Sequence, residues 1–317
     1  MIPILPSVEA ILASMEAKSS MSDRNGPGSW ALLTAIAPIA WGTTYFVTRE
    51  FLPDGYPLYG ALIRALPAGI LLLLLARRRP RGSWWWKSVV LGTLNMGAFF
   101  VLVYLAAQLL PTSIASTVMA AGPVVMLMLA WAILGARPRV VQVIASAIGI
   151  LGVALLLLTG AQAVNPGGVA ASVSALLMSS LGYVLAKRWG DDVDALSSTA
   201  WQLIAAGVLL APVAVIVEGA PPTMDVTIML AYGYISIVGT AVAFVAWFTG
   251  LRHLGAGTVG LIGLLNPVTG VLLGTLVAGE LLTLRQAVGV MIILAGVLLG
   301  QPTFSGALMS ARAWMRT

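Results

Sequence analysis

Apolar residues run through the chain in ten long stretches, which short polar or charged segments separate. A stretch of about 20 apolar residues is the length at which an α-helix crosses the hydrocarbon core of a bilayer. The apolar residues are continuous and do not alternate with polar ones, which favours helices over a β-barrel. The pattern predicts ten membrane-spanning helices, at residues 30–50, 57–77, 86–108, 112–134, 139–159, 168–187, 195–217, 227–251, 256–279 and 283–301.

The composition supports a membrane protein. Of the 317 residues, 59% are hydrophobic and 9% charged, and the mean hydropathy is +0.98. A soluble domain carries about 25% charged residues, so this chain belongs in a lipid bilayer. It has no cysteine, which excludes disulfides and thiolate metal sites, and its single histidine, His253, excludes histidine-cluster sites. We therefore predict no cofactor and no metal.

The distribution of basic residues predicts the orientation. If the N-terminus is cytoplasmic, the outer segments hold only Arg49 and Arg285. The positive-inside rule then places both termini in the cytoplasm. The net charge of +6 reflects this orientation, and we predict no nucleic-acid partner. The cytoplasmic segments hold Lys18, Arg24, Arg77, Arg78, Arg79, Arg81, Lys87, Arg137, Arg139, Lys187, Arg188, Arg252, Arg312 and Arg316.

Both ends of the chain are predicted to be cytoplasmic tails. The tail of residues 1–29 lacks the basic segment that opens a signal peptide. Either translation starts at Met21, or the residues before the first helix form a loose extension. The tail of residues 302–317 mixes apolar and basic residues, and either lies on the inner leaflet as an amphipathic helix or frays.

The chain also repeats itself. Shifting the sequence by 144 residues pairs Pro123 with Pro267 and Gly152 with Gly296 without a gap. The same shift pairs Val124 with Val268, Gly135 with Gly279, Gln142 with Gln286 and Val153 with Val297. The repeat divides the chain into one half at residues 30–160 and another at 167–301.

The orientation turns this repeat into an inverted one. Each half has five predicted spans, an odd number, so the second half enters the membrane from the opposite side. Such halves are related by a pseudo-twofold axis in the membrane plane, a common plan of secondary transporters. The second span of each half supports the duplication, because Ala68-Gly69 matches Ala206-Gly207 and sets Arg64 opposite Gln202.

These features resemble the EamA repeat of the drug/metabolite transporter superfamily. The resemblance rests on the ending of each half, on Trp41-Gly42, on Arg64, and on Gly279-Glu280 followed by Gln286. It implies a ten-helix all-α fold and transport of a small solute, often export of amino acids or other metabolites, across the inner membrane. One position departs from the family pattern: the first half has Ala136 where the repeat usually places Glu.

Arg64 is the most informative polar residue of the predicted spans. A charged side chain within a span is costly and marks a functional site by default. One interpretation is that Arg64 meets a carboxylate of the substrate. The alternative is that its side chain pairs with backbone carbonyls and with Glu50 near the outer surface.

Other polar and aromatic residues of the spans suggest a cavity, although each of them alone is also explained by helix packing. Gly42 allows close approach beside Trp41, and Pro267 leaves a carbonyl of the preceding turn without a donor beside Asn266. The predicted substrate-binding residues are Trp41, Thr44, Tyr45, Arg64, Asn95, Tyr104, Met119, Trp201, Gln202, Trp247 and Asn266.

The acidic residues all lie at or beyond the ends of the predicted spans. No carboxylate is predicted at the membrane midplane, where a proton or sodium carrier would place one. Two hypotheses follow. Either the solute gradient alone drives transport, or protons are coupled through Glu50 or Glu280 near the outer face.

Together these features predict a multi-pass inner-membrane protein that transports a small metabolite, an amino acid or a similar amphipathic solute, by alternating access. A broad-specificity efflux carrier is the alternative. A channel or an intramembrane enzyme is less favoured, because the sequence has no catalytic constellation at membrane depth. The predicted partners are the substrate and the lipid bilayer, and the protein is predicted to be a monomer or a weak homodimer.

Overall fold

The computed structural model describes residues 27–110, 118–119, 121–157, 165–190, 192–277 and 284–300. Residues 1–26, which include the alternative start at Met21, lie outside the described residues, as do Glu280 and the tail of residues 302–317. The elements of the described part are helical: α1 (Pro27–Phe51), α2 (Pro57–Ala76), α3 (Trp84–Leu109), α4 (Gly122–Leu134), α5 (Val140–Leu157), α6 (Pro166–Trp189), α7 (Ala195–Glu218), α8 (Val226–His253), α9 (Ala256–Ile262), α10 (Leu265–Val277) and α11 (Leu284–Leu299).

The protein is an all-α polytopic membrane protein. Six of the described helices, α1, α2, α3, α6, α7 and α8, are long and apolar enough to cross a membrane. Four shorter apolar helical segments accompany them, at Gly122–Leu134, Val140–Leu155, Ala256–Gly270 and Ala287–Leu299. Each of the ten predicted stretches overlaps one of these helices or helical segments. Large apolar side chains such as Ile216 (81% exposed) and Leu284 (82%) face outward, as they do in proteins surrounded by lipid.

Acidic residues serve as caps at several helix ends. Asp194 accepts a hydrogen bond from the backbone N–H of Ser197 at the start of α7 (2.7 Å), and Asp225 does the same for Ile228 in α8 (2.8 Å). Glu218, at the end of α7, accepts two bonds from the first backbone N–H groups of α2, at 2.6 and 2.9 Å. These carboxylates satisfy N–H groups that a helix leaves without an internal partner.

Helices α2 and α7 pack through a reciprocal contact between glycines. A Cβ on Gly69 would lie 2.9 Å from the backbone nitrogen of Ile204, and a Cβ on Gly207 would lie 2.9 Å from Cβ of Leu66. The same offset of 138 residues relates Gly69 to Gly207 and Leu66 to Ile204. The lower-numbered residue of α2 meets the higher-numbered residue of α7, so the two helices run antiparallel.

Helices α5 and α11 repeat this arrangement. A Cβ on Gly152 would lie 2.8 Å from the nitrogen of Ile293, and a Cβ on Gly296 would lie 3.1 Å from the nitrogen of Gly149. The offset of 144 residues found in the sequence relates both members of each contact. A contact surface whose two sides exchange in this way is self-complementary, as expected at a twofold axis.

Helices α3 and α8 each contain a π-helical turn, at Thr93–Gly97 and Ile237–Val242. The two turns occupy matching places, because Ala98-Phe99 follows the first and Ala243-Phe244 follows the second. A π-turn widens the helix, leaves a carbonyl without its usual partner and rotates the following side chains, and such turns are frequent at functional sites.

Candidate functional site

A cavity of about 70 Å³ lies among the helices of both halves. This volume holds a few water molecules. Its walls are mainly apolar and aromatic, with a few polar groups. The lining residues are Trp41, Thr44, Tyr45, Arg64, Phe99, Val103, Met119, Gly122, Met126, Leu176, Ser179, Ser180, Tyr183, Trp247, Gly260, Gly263 and Asn266.

Arg64 brings a permanent charge to this cavity. Its side chain is only 7% exposed. Its Nε donates to Oγ1 of Thr240 (2.8 Å), and Nη2 donates to the carbonyl of Gly239 (3.1 Å). The guanidinium carbon lies 4.0 Å from the centre of the Phe100 ring. Of the alternative predicted for Arg64, the bond to a backbone carbonyl is present. The ion pair with Glu50 is not, and Arg64 has no carboxylate within 4.0 Å among the described residues.

The π-turn of α8 provides both partners of Arg64. Gly239 and Thr240 lie inside the turn, and the carbonyl of Gly239 accepts a second bond from Nε1 of Trp41 (3.1 Å). Two donors from two other helices thus converge on one carbonyl, which a regular helix would have used internally. The local unwinding of α8 therefore fixes the positions of Arg64 and Trp41 at the cavity wall.

An aromatic cluster forms one side of the cavity. The ring of Trp41 lies 5.0 Å from that of Trp247 and 5.0 Å from that of Phe244, both in tilted geometry. Tyr183 of α6 joins the cluster, 5.3 Å from Trp247. Tilted rings at these separations attract one another beyond the burial of their area, so the cluster forms a rigid wall against which an apolar part of a ligand can pack.

Two buried polar atoms of cavity-lining residues have no hydrogen-bond partner among the described residues: Nε1 of Trp247, a donor, and Oδ1 of Asn266, an acceptor. Native proteins satisfy nearly all buried polar atoms, by protein groups, by water or by a ligand. Trp247, Asn266 and Arg64 all line the cavity, and a donor and an acceptor without partners are suited to bind a small polar molecule. No group of three metal-ligating side chains occurs in the part of the chain that the structure describes.

Seven of the predicted binding residues line this cavity: Trp41, Thr44, Tyr45, Arg64, Met119, Trp247 and Asn266. The sequence prediction omitted Ser179 and Ser180 of α6, which also line it. Two adjacent hydroxyls within an apolar stretch are a signal that could have identified them.

The four other predicted residues lie elsewhere. Asn95 donates from Nδ2 to Oε1 of Gln202 (2.8 Å), and both side chains are fully buried between α3 and α7. Trp201 donates from Nε1 to the carbonyl of Arg78 (2.8 Å), at one end of α7. Tyr104 donates to the carbonyl of Pro53 (2.5 Å). Their bonds join helices and loops to one another, and none of the four residues lines the cavity.

Of the two residues predicted for proton coupling, Glu50 is not among the described residues that line the cavity. Glu50 is exposed near the end of α1, and Glu280 lies outside the described residues. The lining residues include no aspartate and no glutamate. The acidic caps Asp194, Asp225 and Glu218 are already bound to backbone N–H groups.

Comparison with known proteins gives consistent matches over almost the whole chain. The model of a family described as "EamA-like transporter family" matches residues 28–158 and 166–300. Protein PecM of Dickeya dadantii is 38% identical over 267 residues, which cover 84% of this chain and 90% of PecM. The uncharacterized inner membrane transporter YedA of Escherichia coli K12 is 29% identical over 271 residues, 82% of this chain and 87% of YedA.

A protein of known crystal structure shares the fold. It superposes with a TM-score of 0.72 at 20% identity, and the superposition covers 87% of this chain and 99% of that protein. At this level of identity the likeness concerns the fold alone.

Proposed function

Since the chain belongs to the EamA-like transporter family, we propose that it is a secondary transporter that exports a small amphipathic metabolite with a carboxylate group, such as an amino acid, by alternating access. Transport, membrane embedding and a multi-pass inner-membrane location follow from the family and its relatives. The substrate, the direction and the mechanism are our proposal.

The observation that carries the proposal is the cation of Arg64 without a carboxylate partner among the described residues. A buried charge is expensive unless it is paired. The guanidinium of Arg64 donates its Nε proton and one Nη2 proton to hydrogen bonds within the protein. Its other N–H groups have the planar geometry that binds a carboxylate. The unpartnered atoms of Trp247 and Asn266 supply a donor and an acceptor for further polar groups of the same molecule.

The reciprocal contacts of α2 with α7 and of α5 with α11 support ten spans in two inverted halves. Both pairs are antiparallel, and the sequence repeat exchanges their two sides. An axis that relates antiparallel helices in this way runs perpendicular to them and therefore lies in the membrane plane. Inverted halves of this kind open alternately to the two sides in secondary transporters. The charge distribution supports cytoplasmic termini.

The size of the cavity supports alternating access. A volume of about 70 Å³ is too small for a metabolite, since sites for small organic ligands enclose about 300–1,000 Å³. The surrounding helices therefore separate before a solute enters. Close glycine contacts such as that between α5 and α11 suit helices that rock as units.

We further propose that the solute gradient drives transport. No carboxylate of the described residues lines the cavity, and the acids Asp194, Asp225 and Glu218 cap helices. Flux into proteoliposomes, measured with and without a pH gradient, tests this. Equal flux supports a facilitative carrier. If the wild type needs the gradient and Glu50→Gln or Glu280→Gln does not, protons are coupled through the substituted residue. If both variants still need the gradient, neither a facilitative carrier nor coupling through Glu50 or Glu280 explains transport.

Counterflow with purified protein tests the substrate class. We expect a zwitterionic or anionic amino acid to exchange in a saturable manner, while sugars and organic amines do not. Arg64→Gln is expected to abolish exchange. Organic cations as the sole hits would overturn the proposal and favour a broad-specificity efflux carrier. Conductance that does not saturate would favour a channel.

A further inference from the structure

The loop between α2 and α3 carries four arginines, Arg77, Arg78, Arg79 and Arg81, within five positions. Together with Ser83, Trp85 and neighbouring residues of α7 and its preceding loop, these arginines line a concave surface that encloses a volume of about 1100 Å³. We call this surface the arginine loop site. It shares no lining residue with the central cavity.

The arginine loop site has a fixed backbone. Arg77 closes α2 in a left-handed conformation (φ 51°), with its N–H bonded to the carbonyl of Leu73 at 2.9 Å. Gly82 makes a second left-handed turn (φ 53°) before α3 begins. Between them, the carbonyl of Arg78 accepts the bond from Trp201. The loop is therefore attached to α7 and presents its arginines in a defined arrangement.

The positive charge of this site is largely unbalanced. Arg78 pairs with Asp194 at 3.3 Å, which is the one ion pair among the described residues. Asp194 is also bound to the start of α7. Asp192 borders the site but forms no ion pair within 4.0 Å with any described residue. Arg77, Arg79 and Arg81 are exposed and have no carboxylate partner in the described part of the chain.

Exposed apolar side chains extend from the arginines along both helices. Leu74 (67% exposed) and Ile70 (47%) lie one turn apart in the last two turns of α2, before the arginines. Trp85 (63% exposed) and Val89 lie one turn apart on α3. Residues four apart share one helix face, and tryptophan is enriched at the level of lipid head groups. The site thus joins a cationic pocket to an apolar surface at the membrane boundary.

We propose that the arginine loop site binds the phosphate-containing head group of an anionic phospholipid of the surrounding bilayer, with the acyl chains along Leu74 and Val89. Arginine binds phosphate oxygens through its planar fork, and basic pockets beside membrane helices attract anionic lipids. A soluble phosphate compound would use the arginines but not the exposed apolar residues, so the combined surface favours the lipid. This proposal does not depend on the transported substrate.

The test compares two charge-matched variants of the full chain. Arg79→Gln/Arg81→Gln removes two exposed arginines from the site and spares Arg77, which has the left-handed backbone, and Arg78, which pairs with Asp194. The control, Arg137→Gln/Arg139→Gln, removes two exposed arginines from the loop between α4 and α5. Thermal unfolding and native mass spectrometry are recorded in detergent with phosphatidylglycerol, phosphatidylcholine or inorganic phosphate.

We expect phosphatidylglycerol to raise the unfolding temperature of the wild type and the control more than phosphatidylcholine does, and to be retained in the mass spectra. The site variant is expected to bind phosphatidylglycerol about tenfold or more weakly, because two cationic contacts are lost. Three results would overturn the proposal: no preference for the anionic lipid in the wild type, an equal loss in the control, or the same stabilisation by inorganic phosphate alone.

Discussion

Nε of Arg64 on α2 donates a hydrogen bond to Oγ1 of Thr240 on α8, at 2.8 Å, and so links the two halves of the chain. The pair has a counterpart in Asn95 and Gln202. Gln202 matches Arg64 in the repeat, and Asn95 and Thr240 each lie three residues before the Ala-Phe pair that follows a π-turn. Both pairs thus join the second helix of one half to the π-turn of the other, but only the pair with Arg64 borders the cavity.

Arg64→Lys is expected to reduce transport at least tenfold. Lysine keeps the charge, but it cannot donate to Thr240 and Gly239 together and still offer a planar fork to a carboxylate. Hydrogen bonds with charged groups contribute about 1.5–3 kcal/mol. Initial rates of counterflow measure the effect. Asn95→Leu/Gln202→Leu, at the equivalent positions, is the control and is expected to keep near wild-type rates. Wild-type transport by Arg64→Lys would show that the planar guanidinium is not required.

The pair of Asn95 and Gln202 predicts a non-additive effect on stability. Asn95→Leu leaves the Gln202 amide buried without a partner, at a cost of about 1–3 kcal/mol in the free energy of unfolding. Asn95→Leu/Gln202→Leu removes both polar groups and is expected to recover most of that loss. Unfolding of the two variants and of Gln202→Leu in detergent completes the cycle. A double variant as unstable as the sum of the single ones would contradict a direct interaction.

Gly152→Ala is expected to destabilise the protein by about 1–3 kcal/mol, the usual effect of overpacking. The added Cβ would lie 2.8 Å from the nitrogen of Ile293, which is backbone and cannot rotate away. Gly296→Ala should have a similar effect, because it meets α5 in the reciprocal way.

Gly233→Ala in α8 is the matched control for these two variants. No atom lies within 4 Å of a Cβ at Gly233, and alanine favours the helix by about 0.8–1.0 kcal/mol over glycine. Its unfolding temperature is expected to equal or exceed that of the wild type. Equal stability of all three variants would disprove close packing between α5 and α11.

Two tryptophan variants distinguish an indole N–H that stabilises the fold from one that is available to bind a ligand. Trp41→Phe removes the bond to Gly239 and is expected to cost about 1 kcal/mol of stability. Trp247→Phe removes an N–H that has no partner among the described residues, so any loss of stability comes from the packing of the smaller ring, while substrate affinity is expected to fall about tenfold. Thermal unfolding and binding titrations check both. Unchanged affinity in Trp247→Phe would show that its indole N–H does not bind the substrate.

Much of the fold could be predicted from the sequence, because a bilayer imposes simple rules on it. Every apolar stretch had to form its backbone hydrogen bonds internally, so each predicts a helix whose length matches the hydrocarbon core. The predicted boundaries at residues 57–77 and 195–217 compare with Pro57–Ala76 and Ala195–Glu218 in the structure. The repeat and its glycines were also visible, since duplication preserves residue identity at a fixed offset.

The sequence alone determined that this is a helical membrane protein of duplicated halves with a cation in one span. Only the tertiary structure decided which polar residues face the cavity. Asn95 and Arg64 were both predicted to bind the substrate, but one is bonded to Gln202 and the other borders the central space. Asn95 lies in one π-turn, and the carbonyl of Gly239 that binds Arg64 lies in the other. Such turns leave no trace in hydropathy. The side of a helix on which a side chain lies depends on such local turns, and its contacts depend on neighbours distant in sequence.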